Sequence, residues 1–193
     1  SGASNRPVRI VGSTKGPVFN RGSASADTLL LDGASQLEIE NLRLTGGRYG
    51  VNCNASSDVL FKNVRFTGNQ YGVFVSGVRH VFEGCLAADN AQQGFTASGI
   101  GPNHWKNGVI WSNPAALSAQ SNSVTVSNSI LGGGFAVFAA GSQIVQGDCN
   151  VLWNTAPGLT FTTLSALQNA GVWTRSVYAD PLFANAGAGD YHL

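Results

Sequence analysis

The chain has 193 residues, enough for one domain with its own hydrophobic core. Formal net charge is +1 and only 11% of residues are charged, which argues against nucleic acid or an anionic membrane as the main partner. Apolar residues are 43% of the chain, yet no run approaches the ~20 residues needed to span a bilayer.

In chain order, residues 1–34 read as an irregular first coil, with short apolar runs at 8–11, 17–20 and 28–31. No signal peptide opens the chain, Met is absent, and Ser1-Gly2 resembles a cloning remnant, which together point to a piece cut from a longer, processed protein. From residue 35 an internal repeat dominates. Laying residues 37–53 over 59–75 puts Asn41 on Asn63, Arg43 on Arg65, Thr45 on Thr67, Tyr49 on Tyr71 and Gly50 on Gly72, each 22 residues apart. A third copy sets Gly94 on Gly72 and Phe95 on Val73, and later copies slip by about one residue. Apolar residues alternate within each copy (Leu42 and Leu44, Val64 and Phe66, Val73 and Val75), the period of a strand with one face inward.

Like residues at a fixed offset distinguish a stacked solenoid from a sandwich of short strands. The expected fold is therefore all-β: a single right-handed parallel β-helix of about seven coils. It divides into an irregular first coil (1–34), regular coils (35–161) and a C-terminal covering segment (162–193). Asn41, Asn63, Asn107 and Asn128 form a ladder at one turn, with Cys85 in the same slot. Trp111 and Trp153 fall at equivalent inward positions with Gly132 between them. Ile110, Leu131 and Leu152 then face outward as an apolar strip, and a short helix over 162–172, carrying Leu164, Leu167 and Val172, is expected to cover it. Cys53, Cys85 and Cys149 read as small buried hydrophobes; Cys85 and Cys149 share a column about three coils, roughly 14 Å, apart, too far for a disulfide.

The coils resemble the parallel β-helix repeats of secreted, polysaccharide-active bacterial proteins. The end is the more specific part: Asp148-Cys149-Asn150-Val151-Leu152-Trp153-Asn154, then Leu164-Ser165-Ala166-Leu167-Gln168, then Ser176-Val177-Tyr178-Ala179-Asp180-Pro181-Leu182-Phe183 and Gly189-Asp190-Tyr191-His192-Leu193. The resemblance covers residues 35–193. It implies a secreted, extracellular bacterial protein. That group includes pectate and chondroitin lyases, glycoside hydrolases, epimerases and non-catalytic carbohydrate-binding modules attached to xylanases. Its catalytic members have longer barrels with large loops, whereas this chain has one sizeable loop excursion, residues 97–105.

No catalytic constellation is legible. The ten carboxylates are dispersed, and only Glu38 and Glu40 are neighbours, with Leu60 and Lys62 at the matching positions of the next coil. That excludes a ladder of calcium ligands and offers no in-register pair for glycoside hydrolysis. The Asn-Thr-Asp, Asp-Asp and Gly-His-Gly motifs of pectin hydrolases are missing. His80, His104 and His192 are scattered. No metal-ligand spacing and no cofactor motif occurs. Arg43 and Arg65 stack in one outward column; they read either as clamps for a substrate carboxylate or as a solvated face partnered by Glu38 and Glu40.

Another set of outward columns suits carbohydrate. Arg48, Gln70 and Gln92 stack; beside them run Tyr49, Tyr71 and Gln93, then Asn52, Phe74 and Thr96, then Asn54, Ser76 and Ser98. Aromatic faces meet the C–H side of a sugar ring, while amides and guanidinium meet its hydroxyls. The loop before Lys106 is expected to overhang this face, with His104 and Trp105 as walls, although Trp105 is also in register with Phe82 and so fits the core. The leading expectation is a non-catalytic carbohydrate-binding module joined covalently to a glycoside hydrolase. It would hold a neutral or weakly acidic hemicellulose, xylan first, through Phe74, Tyr71, Tyr49, Gln70, Gln92, Arg48, Asn52, Trp105 and His104, with no cofactor and no metal. The alternatives are a lyase or epimerase acting on a uronate polymer, and a structural or adhesin segment.

Overall fold

The structure, a computed structural model, describes residues 7–13, 16–99, 101–119, 124–133, 135–137, 139–140, 143–153 and 164–191. Its strands stack in parallel into three long sheets. Sheet A takes Val8–Val11, Ser35–Glu40, Ser57–Lys62, Val81–Glu83, His104–Lys106, Thr125–Ser127 and Gln146–Asp148. Sheet B takes Val18–Ser23, Arg43–Gly47, Arg65–Thr67, Leu86–Ala88, Val109–Trp111, Ile130–Gly132, Val151–Trp153 and Val177–Tyr178. Sheet C takes Leu29–Asp32, Tyr49–Asn54, Tyr71–Val75, Gln93–Ala97, Ala115–Ala119 and Phe135–Val137. Each coil contributes one strand to A, B and C in turn, which makes a parallel β-helix of six full turns and part of a seventh.

The strands are short, so only one or two side chains per strand point inward, and like residues pile on like. Ile39, Phe61, Phe82, Trp105 and Val126 form one inward column of sheet A. Phe61 stacks on Phe82 at 4.7 Å and Phe82 on Trp105 at 5.6 Å, close to the inter-strand spacing of about 4.8 Å that the backbone imposes. Leu44, Phe66, Ala87, Ile110, Leu131 and Leu152 form the inward column of sheet B. Ile110, Leu131 and Leu152 are buried, which reverses the outward placement expected for them. The cause is coil length: successive pairings in sheet A run 22, 21, 23, 21 and 21 residues, and a shift of one residue turns a strand's faces over.

Trp111 and Trp153 consequently face outward, with Gly132 between them in register. A Cβ on Gly132 would lie 2.3 Å from Trp111 Cζ3, so only glycine fits under the indole. The C-terminal segment runs back along this face as a strap. Tyr178 lies 5.5 Å from Trp153, Phe183 meets Trp111 edge-on at 4.8 Å, and the Tyr191 hydroxyl donates to Asp89 at 3.0 Å. The predicted helix is present over Leu164–Asn169, but it joins the core cluster with Leu167 instead of covering an outward strip. Trp173, fully buried, fills the space beside Gly147, and its indole N–H donates to the Val145 carbonyl at 2.9 Å. His192 and Asn154 lie outside the described residues.

Corners decide whether such a coil closes. Between sheets A and B, Asn41, Asn63, Gly84, Asn107, Asn128 and Cys149 all adopt positive φ near 50–60°. The asparagine series is thus chosen for left-handed backbone, which Asn tolerates better than most residues. Only one amide contact, Asn63 to Asn41 at 3.4 Å, runs along it, and the third slot is Gly84 and not Cys85. Cys149 shares that half-exposed column, while Cys53 and Cys85 are buried, with thiol pKa values pushed up to about 12 by desolvation.

Buried polar ladders stand behind all three corners. Between B and C, Asn69, Asn90 and Asn113 stack inside the coil. The Asn90 side-chain carbonyl accepts from the backbone and amide nitrogens of Asn69 at 3.1 and 3.2 Å, and its own amide donates to Phe66 O at 3.0 Å and to Asn113 at 2.9 Å. Between C and A, the Asn103 amide oxygen accepts from His80 N at 2.9 Å, while His80 Nδ1 accepts from Val59 N at 3.3 Å and Nε2 meets Ser56 Oγ at 3.2 Å. Between A and B in the later coils, Ser129, Asn150 and Ser176 repeat the pattern.

Two predictions follow from these corners. Asn90→Ala strands the Phe66 carbonyl and the Asn69 amide, and should lower stability by about 3 kcal/mol, read from urea unfolding midpoints. His80 is held neutral, its pKa lowered from 6.5 to about 4 by burial. The unfolded chain therefore binds one more proton between these values, so the His80 contribution is complete above pH 6.5 and declines as pH falls toward 4. Asp58, lowered to about 2 by its hydrogen bond with Arg79, acts only below its ordinary value of 3.8. Thermal midpoints between pH 7 and 4.5 should fall less steeply in His80→Asn than in the parent chain.

Candidate functional site

The outer face of sheet C brings seven of the nine predicted residues together. Tyr49 and Tyr71 are cross-coil partners with ring centroids 5.0 Å apart, and Phe74 lies 5.2 Å from Tyr49. All three rings are half-buried, so their edges are fixed by neighbours while their faces stay open. The Arg48 guanidinium sits 5.0 Å over the Tyr49 ring, a cation–π contact. The Tyr71 hydroxyl donates to Gln92 Oε1 at 2.6 Å, and Gln70 precedes Tyr71 in the same coil. Asn52 pairs with Phe74 in the next column.

Asp27 organises this face and was not singled out from sequence. Its carboxylate accepts from Arg48 Nε at 2.9 Å and Nη2 at 3.3 Å, and from Asn52 Nδ2 at 2.8 Å. That ion pair raises the Arg48 pKa above its ordinary value, while burial raises that of Tyr49. Asp27 belongs to the first coil, outside the regular repeat, so no column alignment reaches it. Leu30, 54% exposed, heads the Asn52–Phe74–Thr96 column and was also missed. A polar edge runs beside these columns: Asn54 Nδ2 donates to Asp32 at 2.8 Å and Ser76 Oγ donates to Asn54 Oδ1 at 3.3 Å. Gln93 and Thr96 are joined by their side chains.

Trp105 and His104 do not belong to this face. Trp105 is fully buried, stacked on Phe82 and edge-on to Phe95 at 5.4 Å, because the 23-residue spacing at this coil returns it to the inward column. His104 is exposed on sheet A, paired with Val81 and Thr125. The loop before them does not overhang sheet C: Gly99 and Gly101 lie against Ser76 and Val78 at the corner between C and A.

The carboxylates of sheet A are engaged in ion pairs. Arg9 bridges Glu38 and Glu40 at 2.9 and 3.0 Å, Lys62 meets Glu38 at 3.1 Å, and Lys106 meets Glu83 at 3.3 Å. Glu38 and Glu40 are thus not the partners of Arg43 and Arg65, which lie on sheet B. Among the described residues, no group of three or more His, Cys, Asp or Glu is placed to hold a metal ion.

Three parallel sheets, corner ladders and an open aromatic–amide face define a β-solenoid with an extended recognition surface. The chain belongs to the right-handed β-helix family: the sequence model described as "right handed beta helix region" matches residues 27–174. A comparison with curated proteins finds no match.

Proposed function

We propose that the sheet C face binds a plant cell-wall polysaccharide, with xylan or a related hemicellulose as the best-fitting class, and that the domain serves as a non-catalytic carbohydrate-binding module. The observation that carries this reading is the cluster of Tyr49, Tyr71 and Phe74, with centroids about 5 Å apart and bordered by Arg48, Asn52 and Gln92. Aromatic faces exposed beside planar hydrogen-bonding groups are what a polyhydroxylated ring needs on its two chemically different sides. The face is long and open, which suits a segment of polymer. Its repeat is the coil spacing, so successive sugars of an extended chain meet equivalent positions on successive coils.

The right-handed β-helix fold is compatible with polysaccharide-binding and polysaccharide-active proteins alike, and the choice between them rests on the site. On the sheet C face, Asp27 is spent on holding Arg48 and Asn52 in place. A module of this kind acts by raising the effective concentration of an attached glycoside hydrolase at its substrate. Secretion from a bacterium and covalent attachment to that catalytic domain are parts of the same proposal.

Native gels containing xylans, glucans, mannans or pectins test it. The expected result is retardation by a neutral or weakly acidic hemicellulose without release of product, weakened at least fivefold in Phe74→Ala and in Tyr71→Ala. Both side chains are outward, so the variants should keep the parent's unfolding midpoint to within about 1 kcal/mol. Unsaturated product from a uronate polymer, or equal retardation of parent and variants, would overturn the reading.

A further inference from the structure

A second site, on a different face, is independent of the sheet C reading. Arg43 and Arg65 are direct cross-coil partners on the outside of sheet B, and both are exposed. Like charges opposite one another on neighbouring strands repel. Elsewhere the solenoid answers such positions with opposite charge: Glu40, Lys62, Glu83 and Lys106 alternate along one column of sheet A. The arginine pair has no such answer. None of the seven ion pairs among the described residues includes either of them. Arg43 Nε donates to Thr67 Oγ1 at 2.9 Å and Arg65 Nη2 to the Gly189 carbonyl at 3.2 Å, so each guanidinium is held by a neutral acceptor and keeps donors to spare.

Those donors border a groove of about 500 Å³ between sheet B and the strap, also lined by Thr67, Asp89, Gly189 and Tyr191. Its composition specifies a ligand. Two fixed guanidinium groups favour a carboxylate, which they can take in forked hydrogen bonds. Asp89, which accepts the Tyr191 hydroxyl through one oxygen, offers its other to a hydroxyl donor and repels a second negative charge. The strap wall at 187–189 is Gly-Ala-Gly, leaving room for a ring beside the Tyr191 side chain. We propose that this groove binds a uronate, a sugar bearing one carboxylate and several hydroxyls, with Arg43 and Arg65 on the carboxylate and Asp89 on a hydroxyl.

The test is a titration of the intact chain with sodium glucuronate, glucose and inorganic phosphate, followed by amide and arginine Nε–H resonances. Glucuronate should shift Arg43, Arg65 and residues 187–189 saturably. Its affinity should fall at least tenfold in the Arg43→Gln/Arg65→Gln double variant, and stay unchanged in Phe74→Ala. Glucose should leave the groove resonances still, and phosphate should bind more weakly than glucuronate. Arg43→Lys, which keeps the charge and loses the fork, should also weaken binding and serves if the double variant does not fold. Phosphate binding as tightly as glucuronate would reduce the groove to a general anion site; that result, no saturable shift with glucuronate, or unchanged affinity in Arg43→Lys would overturn the proposal. Loss of glucuronate binding in Phe74→Ala would relocate the ligand to sheet C and also overturn it.

Discussion

The backbone at a coil corner is the constraint on which this structure depends. A strand in the middle of a parallel sheet has its N–H and C=O groups paired by the coils on either side, but at a corner the chain changes direction and those groups turn inward. A buried amide or carbonyl without a partner costs as much as several good contacts return. Asn69, Asn90 and Asn113 meet this demand at one corner, Ser56, His80 and Asn103 at another, and Ser129, Asn150 and Ser176 at the third. Each side chain bonds the coil before it or after it, so a corner solved in one coil supports the next. With corners fixed, the sheets are in register, and with the register fixed, both the aromatic core and the outer columns stack.

That hierarchy explains what could be read from the amino-acid order. Where coils are 22 residues long, side-chain columns follow from arithmetic, and the Arg48, Tyr49, Asn52 and Asn54 columns stand on sheet C as expected. The loss of one residue before Val81 and the gain of two before His104 break the arithmetic. Trp111 and Ile110 exchanged faces for that reason, and Trp105 moved into the core. The true amide ladder was also missed, because Asn69, Asn90 and Asn113 look like ordinary loop residues; only the coordinates show them turned inward. The more conspicuous asparagines at 41, 63, 107 and 128 serve backbone conformation instead. Asp27 lay beyond reach because the first coil does not share the repeat.

The two outer faces differ in how they are finished. Sheet C is left open, its rings tilted against each other and its charges neutralised locally by the Asp27–Arg48 pair. Sheet B is partly roofed by the strap, and its cations are held by a hydroxyl and a backbone carbonyl. One backbone architecture thus presents a wide surface of low charge and a narrow one carrying net positive charge, and these suit different parts of an acidic or substituted polymer.

The strap has a consequence for how the molecule comes apart. A solenoid held only by contacts between adjacent coils behaves as a one-dimensional stack, able to fray from either end one unit at a time. Here the contact between Tyr191 and Asp89 spans 102 residues, and the Phe183–Trp111 and Arg65–Gly189 contacts lie along the same path. The last residues of the chain are thereby tied to its early and middle coils. Peeling from the C-terminal end cannot begin without first releasing contacts near the other end, so the coils between them open and close together. A linear array becomes, through one returning segment, a single cooperative unit.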